Sequence, residues 1–199
     1  MPRTEKQFKE MREKTKQRIL ENSLELFAEK GFKGTSINDI AKAAGVSKGL
    51  AYNYFESKND LMFAVLRLIE YELGMLMDVL SKAEDPYEKL KLMISLTIEM
   101  LQKDSKFWTL YMNFAFQSEV ANEAKSVLQN TLHGAFETIE NIFTQIGIEN
   151  PAEESKILGS ILDGISFHYI VDKENYPIEK IKIHLLKKYS KSELSKLIL

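Results

Sequence analysis

The chain has 199 residues, 44% hydrophobic and 28% charged, with 27 Lys+Arg against 29 Asp+Glu and a formal net charge of −2. This is the composition of an ordinary globular protein with room for one or two domains, and it excludes a disordered tail or a protein that coats nucleic acid by bulk charge. No run approaches the ~20 apolar residues of a membrane span and "MPRTEKQFKEMREK" lacks the apolar run of a secretion signal, so the cytoplasm is expected; with Cys 0, disulfides, thiolate zinc sites and thiol nucleophiles are excluded together.

The charge is unevenly placed. Residues 1–58 carry 12 Lys+Arg against 8 Asp+Glu, net +4, and the remainder 15 against 21, net −6. A basic quarter on an acidic remainder suggests a local anion-binding surface, although chance clustering on solvated helices gives the same count. From about Thr15, the spacing of Ile19, Leu20, Leu24, Phe27 and Ala28 predicts a first helix that Gly31 ends. "TSINDIAKAAG" then offers Ser36 as N-cap with Asp39 three residues on, and Ile37, Ile40, Ala41 and Ala44 on one face of a short second helix. Gly45 supplies a permissive turn, Ser47 caps a third helix, and Ser57 with Asp60 repeats the S-x-x-D start for a fourth.

Two short helices joined by a tight glycine-containing turn make a helix-turn-helix, whose second helix enters the major groove of DNA. That gives a purpose to the surface of "VSKGLAYNYFESKNDL", residues 46–61. Lys48 can reach a phosphate or a guanine edge, and Gly49 has no side chain to hold the backbone away. Tyr52 and Tyr54 present hydroxyls on rigid rings, Asn53 pairs with bases or phosphates, and Lys58 joins free amides at the start of the next helix. Ile40, Ala51 and Phe55 read as packing. The alternative is a small packed helix with solvated lysines, but caps, turn, charge and aromatics agree on DNA contact.

"TKQRILENSLELFAEKGFKGTSINDIAKAAGVSKGLAYNYFESKNDLMFAVL", residues 15–66, resembles the DNA-binding domain of the tetracycline-repressor (TetR) family of bacterial transcriptional regulators. The resemblance covers about a quarter of the chain. It implies an all-α protein that binds a near-palindromic operator as a homodimer and releases it when a small molecule enters the C-terminal domain. It points to Ser36, Ser47, Lys48, Gly49, Tyr52, Asn53, Tyr54 and Lys58 as DNA-facing. Two positions depart from the family's pattern: Leu50 stands where a small or polar residue is common, and Ala51 where leucine is. Leu50 is then placed to touch a thymine methyl, or the pair has exchanged packing roles.

Residues 1–58 therefore form the DNA-binding domain with a short basic extension, and residues 59–199 a helical effector-binding and dimerisation domain. Leu61, Val65, Leu68, Leu76 and Leu80 mark a long fourth helix, and Asp85-Pro86 stops it and starts the next. Further helices are expected over 86–102, 105–117, 118–146, 152–172 and 177–197, with no strand. In 118–146 and 152–172 apolar residues cover about half the circumference, more than packing on one side needs. Val127, Leu128, Phe136 and Ile139 on the first, with Ile157, Ile161, Gly164, Ile165 and His168 on the second, are expected at an intersubunit four-helix bundle, or inside a larger monomeric one.

"FWTLYMNFAF", residues 107–116, gathers aromatics and a methionine around Asn113, with Met93 and Met100 on the preceding helix. Phe107, Trp108, Tyr111, Met112 and Asn113 are the expected wall of an effector pocket, though plain packing uses the same residues. His133, His168 and His184 lack the spacing of metal ligands, and no metal or cofactor is expected. No glycine-rich phosphate loop, nucleophile elbow or H-E-x-x-H occurs, and nothing pairs carboxylates such as Glu99 and Asp163, so an enzyme is not expected. A DNA-binding or interaction protein without a small-molecule response remains the alternative function.

Overall fold

The computed structural model describes residues 4–116 and 122–196, all helix and connecting turns, with the side chains of Glu72, Leu73, Phe107, Tyr111, 114–116, 122–125, Leu128 and Leu132 left out of account. Ten helices run in chain order through the described residues: α1 Glu5–Gly34, α2 Ile37–Ala43, α3 Lys48–Tyr52, α4 Lys58–Ser81, α5 Pro86–Lys103, α6 Lys106–Phe116, α7 Asn122–Ile146, α8 Pro151–Val171, α9 Ile178–Lys188 and α10 Lys191–Leu194. The chain divides into two compact units, Met1–Ile69 with Thr109–Val127, and Glu70–Trp108 with Leu128–Leu199. The first unit thus continues past residue 58. The reason is burial: Leu61, Met62, Val65, Leu66 and Ile69, the opening turns of α4, are all buried.

In the first unit α1 starts ten residues before the apolar stripe that announces it. Residues 4–14 are exposed, so no periodicity marks them. They are helical because Thr4 and Gln7 form a capping box and the Glu, Lys, Gln, Met and Arg that follow are good helix formers. At the other end Gly31 adopts φ 70°, ψ 167°, which interrupts the helix before one further turn to Gly34. α2 opens on a full capping box, the Asp39 amide donating to Ser36 Oγ at 3.2 Å and the Ser36 amide to Asp39 Oδ2 at 3.1 Å. The Ser36 hydroxyl and then the Ser36 amide, both donating to the Asp39 carboxylate, hold it below its usual range. Gly45, at φ 63°, turns the chain. The Val46 amide then reaches back to Ala41 O at 2.9 Å, and Ile37, Ala41 and Ala51 close a small apolar cluster with Val46 between α2 and α3.

The second unit has a single apolar core. Leu76 and Leu80 from α4, Leu90, Met93, Ile94, Ile98 and Leu101 from α5, and Ile139, Ile142, Phe143 and Ile146 from α7 meet Leu158, Leu162, Ile165 and Tyr169 from α8 and Leu185 from α9. Proline opens α5 and α8 in their first turns, and Gly147 at φ 90° lets its own and the following amide return to Phe143 O, closing α7. Polar ties run along the outside. Lys182 Nζ meets Glu99 Oε1 at 2.8 Å, Gln102 donates to Glu179 at 2.9 Å, and the Tyr189 hydroxyl donates to Glu154 Oε1 at 2.9 Å. The single helix expected over 177–197 is broken at Tyr189, whose ring is buried in the core, and Ser190 starts α10.

Candidate nucleic-acid interface and ligand cavity

α3 is a five-residue helix held from below and open above. The Leu50 amide donates to Ser47 Oγ at 3.1 Å, which starts the helix, and Ala51, only 2% exposed, fixes it to α2. Ser47, Lys48, Gly49, Leu50, Tyr52 and Asn53 are left facing outward, with Leu50 at 38% and Tyr52 at 44% exposure. The ambiguity at 50 and 51 is thereby resolved: Ala51 packs and Leu50 is presented. Lys48 Nζ lies 5.9 Å from the Tyr52 ring centroid, and the Arg12 guanidinium lies 5.6 Å from that of Tyr54, which is half-buried. Arg12, on the exposed first half of α1, therefore belongs beside this surface; no sequence periodicity linked it to Tyr54.

Gly49 has an ordinary negative φ, and a Cβ built on it would meet nothing within 4 Å. Neither backbone conformation nor internal packing calls for glycine there, whereas glycine in a helix costs about 1 kcal/mol relative to alanine. Gly49 therefore leaves the backbone of α3 uncovered on its outer side. Ser36 is exposed at the start of α2 with its hydroxyl already engaged by Asp39.

Lys58 differs from expectation. Its Nζ is not offered to solvent but donates to Phe32 O at 2.8 Å and Thr35 O at 3.0 Å, over the Phe32 ring at 4.3 Å. Burial lowers its pKa from the ordinary value. The cause is the break at Gly31: a helix end leaves carbonyls without amide partners, and side chains must supply donors. Thr35 Oγ1 serves Leu26 O and Gly31 O, Lys58 serves the last turn, and Asn113 Nδ2 donates to Ala28 O at 2.7 Å. Asn113, expected in an effector pocket, is thus a cap on α1 within the first unit, and Met112 belongs to that unit as well.

The cavity lies in the second unit. A partly open cavity of about 110 Å³ is lined by Met93, Met100 and Trp108 together with Met77, Thr97, Phe136, Gly159 and Asp163. The side chains of Phe107, Tyr111 and Leu128 lie outside the described residues. Gly159 is needed here, because a Cβ on it would run into the Phe136 ring, so the aromatic edge rests directly on α8. Burial pushes the Asp163 carboxyl above its usual range. Phe136 and Ile139, expected at a subunit seam, are internal: Phe136 walls the cavity and Ile139 is 6% exposed in the core. A charged residue inside the apolar run "ILGSILDGISF" was the available signal for Asp163.

α8 is two-faced. Leu158, Leu162, Ile165 and Tyr169 are buried in the chain's own core, which takes Ile165 away from any seam. Ile157, at 49%, and His168 are exposed, with Ile161 and Gly164 half-buried between them and Phe167 and Val171 beyond. A Cβ on Gly164 would also meet nothing. Ile183 on α9 is 67% exposed, and Ile161, Ile165, Ile181 and His184 line an open groove between α8 and α9. Val127 is half-buried in the first unit. Among the described residues there is no group of three His, Asp or Glu that could hold a metal and no helix long and apolar enough to cross a membrane.

A capped helix-turn-helix with an open face on its second helix is an arrangement that proteins use to read the major groove of DNA. Residues 19–65 match the family described as bacterial regulatory proteins, tetR family. The HTH-type transcriptional regulator YuxN of Bacillus subtilis is 28% identical over 164 residues, covering 80% of this chain and 55% of YuxN. The chain spans about half, or less, of the length of the curated relatives it matches. FadR of Bacillus subtilis, solved with stearoyl-CoA, superposes with TM-score 0.72 at 20% identity over 87% of this chain and 96% of FadR. AibR, solved with isovaleryl coenzyme A and operator DNA, does so with TM-score 0.71 at 17% identity over 86% and 96%. Residues 19–65 thus match the DNA-binding part of that family, and the curated relatives of the chain are named as HTH-type transcriptional regulators.

Proposed function

We propose that the protein is a ligand-responsive regulator, acting as a repressor, that binds a near-palindromic operator as a homodimer and releases it when a small, mostly apolar effector fills the cavity beside Trp108. The observation that carries the DNA reading is the outward face of α3, with a glycine at 49 that nothing inside the protein requires. Ser47, Lys48, Leu50, Tyr52 and Asn53 are its contact residues, Ser36 and Tyr54 flank it with Arg12, and Lys58 holds the surface in place from within. The effector reading rests on the largely apolar cavity, and the two related folds solved with coenzyme A ligands support it only in that each was solved with a bound small molecule.

The dimer reading rests on α8 and α9. Ile157, Ile161, Gly164 and His168 recur at helical spacing on the side of α8 that the chain's own core leaves open, next to Ile183 of α9. Gly164 allows close approach of a second helix, and a two-fold partner would cover the stripe with its own. The test is footprinting of duplex DNA flanking the gene that encodes the protein, followed by anisotropy titration of the protected fragment. Two protected half-sites about 10 base pairs apart, or a multiple of that, are expected. Absence of any preferred duplex over random DNA at physiological salt would overturn the reading.

A further inference from the structure

Among the described residues, the wall of the cavity contains one ionisable side chain, Asp163, and no Lys, Arg or His. The other side-chain nitrogen and oxygen atoms of those described residues belong to Thr97 and Trp108, and the rest is aliphatic, thioether or ring. Burial raises the carboxyl's pKa, and among the described residues no ion pair or hydrogen bond offsets that desolvation. A leucine or asparagine would fill this place without that desolvation cost, so a carboxylate here is unfavourable for the empty protein. It becomes favourable when an opposite charge enters.

We infer that the cavity selects a small ligand with a flat or short apolar body and a cationic nitrogen head, ammonium or amidinium, that pairs with Asp163. About 110 Å³ is available, less than the engineered apolar cavity of about 150 Å³ that holds benzene, so the body is small and the head stands toward the open side or the methionines give way to it. Met77, Met93 and Met100 adapt to an irregular body, and Phe136 and Trp108 line the same wall. An anion in the same place would meet Asp163 without a counter-charge. The inference rests on the effector reading of the cavity and adds the charge of its ligand.

The experiment titrates the full-length protein with three probes that share one ring, benzylammonium, benzyl alcohol and benzoate, and follows Trp108, the single tryptophan. The wild type is expected to bind benzylammonium at least about tenfold more tightly than benzyl alcohol, the scale of a charge-assisted hydrogen bond, and benzoate more weakly than either. Asp163→Asn should bring benzylammonium to the level of the alcohol and leave the alcohol within about twofold. Equal affinities for the three probes in the wild type, or no response to any of them, overturn the inference without need of the variant. So does an ammonium preference that survives Asp163→Asn. Operator affinity measured with each probe separates the two readings. If the alcohol binds and weakens operator binding without an ammonium preference, charge selection fails and the effector role stands. If ammonium is preferred and operator binding is unchanged, charge selection stands and the coupling fails.

Discussion

At position 49 a methyl group would meet no atom of the protein, which allows folding and DNA contact to be separated by one substitution. Gly49→Ala should leave thermal stability unchanged or slightly raised, since alanine is the better helix former, and should weaken operator binding, since the methyl stands between α3 and the groove. Thermal melts and anisotropy on the same preparation check both. Lys48→Ala should weaken binding and reduce the magnitude of the salt slope by about 1, as expected for one lost phosphate contact. Lys58→Ala belongs to another class. It removes the Nζ donor from Thr35 O and from Phe32 O, which keeps the Thr35 amide at 3.4 Å, so it should destabilise the first unit by about 1–3 kcal/mol, read by chemical denaturation, and any loss of DNA binding should follow that loss of fold.

Single elements carry the next two outcomes. The end of α1 is closed by the adjacent Thr35 and by two side chains from farther along the chain, Lys58 and Asn113 of α6. Asn113→Asp replaces a donor by a carboxylate facing the Ala28 carbonyl, so it should destabilise more than Asn113→Ala, which only leaves that carbonyl unsatisfied at about 1–3 kcal/mol. Equal effects in urea denaturation would show that the bond contributes little. On α8, Ile157 is exposed and outside the core, unlike its neighbour Leu158. Ile157→Glu should therefore yield a folded monomer under sedimentation at micromolar concentration where the wild type is a dimer, because the charge is buried only on association. Leu158→Glu, in contrast, should not fold.

For the whole molecule, the effector acts only as far as it prefers one state over the other. Filling the cavity should weaken operator affinity by a factor of about 5 to 150, the usual range of coupling, and DNA should weaken effector binding by the same factor. Reciprocal titrations followed by Trp108 fluorescence and by anisotropy test that equality. Asp163 adds a pH dependence of stability. Its folded pKa is raised above the unfolded value of 3.8, so the native state holds the proton longer. Its contribution is therefore greatest below the unfolded pKa, falls as pH rises through the interval up to the folded pKa, and stays low above it. Asp163→Asn should remove this slope and make the empty protein more stable at neutral pH, measured as melting temperature across the acid range.

What the sequence determined by itself was local. The caps at Ser36, Ser47 and Ser57, the turn at Gly45, the stops at Gly31, Gly147 and the prolines, and the exposed face of α3 all act within a few residues, where spacing alone specifies geometry. Helix type and order followed from the period of the apolar residues. The first turns of α1 did not, because a helix that buries nothing leaves no period. Tertiary structure decided everything that depends on who meets whom. Lys58 and Asn113 carry donors suited to DNA or a ligand, but the carbonyls freed at the end of α1 lie closer and claim them. α7 and α8 share the same apolar breadth, yet Phe136 and Ile139 are consumed by the cavity and the core while Ile157 is left open. Asp163 is one carboxylate among many in the sequence. Only the packing of α4, α5, α6, α7 and α8 around it turns it into the charge on an apolar wall, because desolvation is a property of all the neighbours at once.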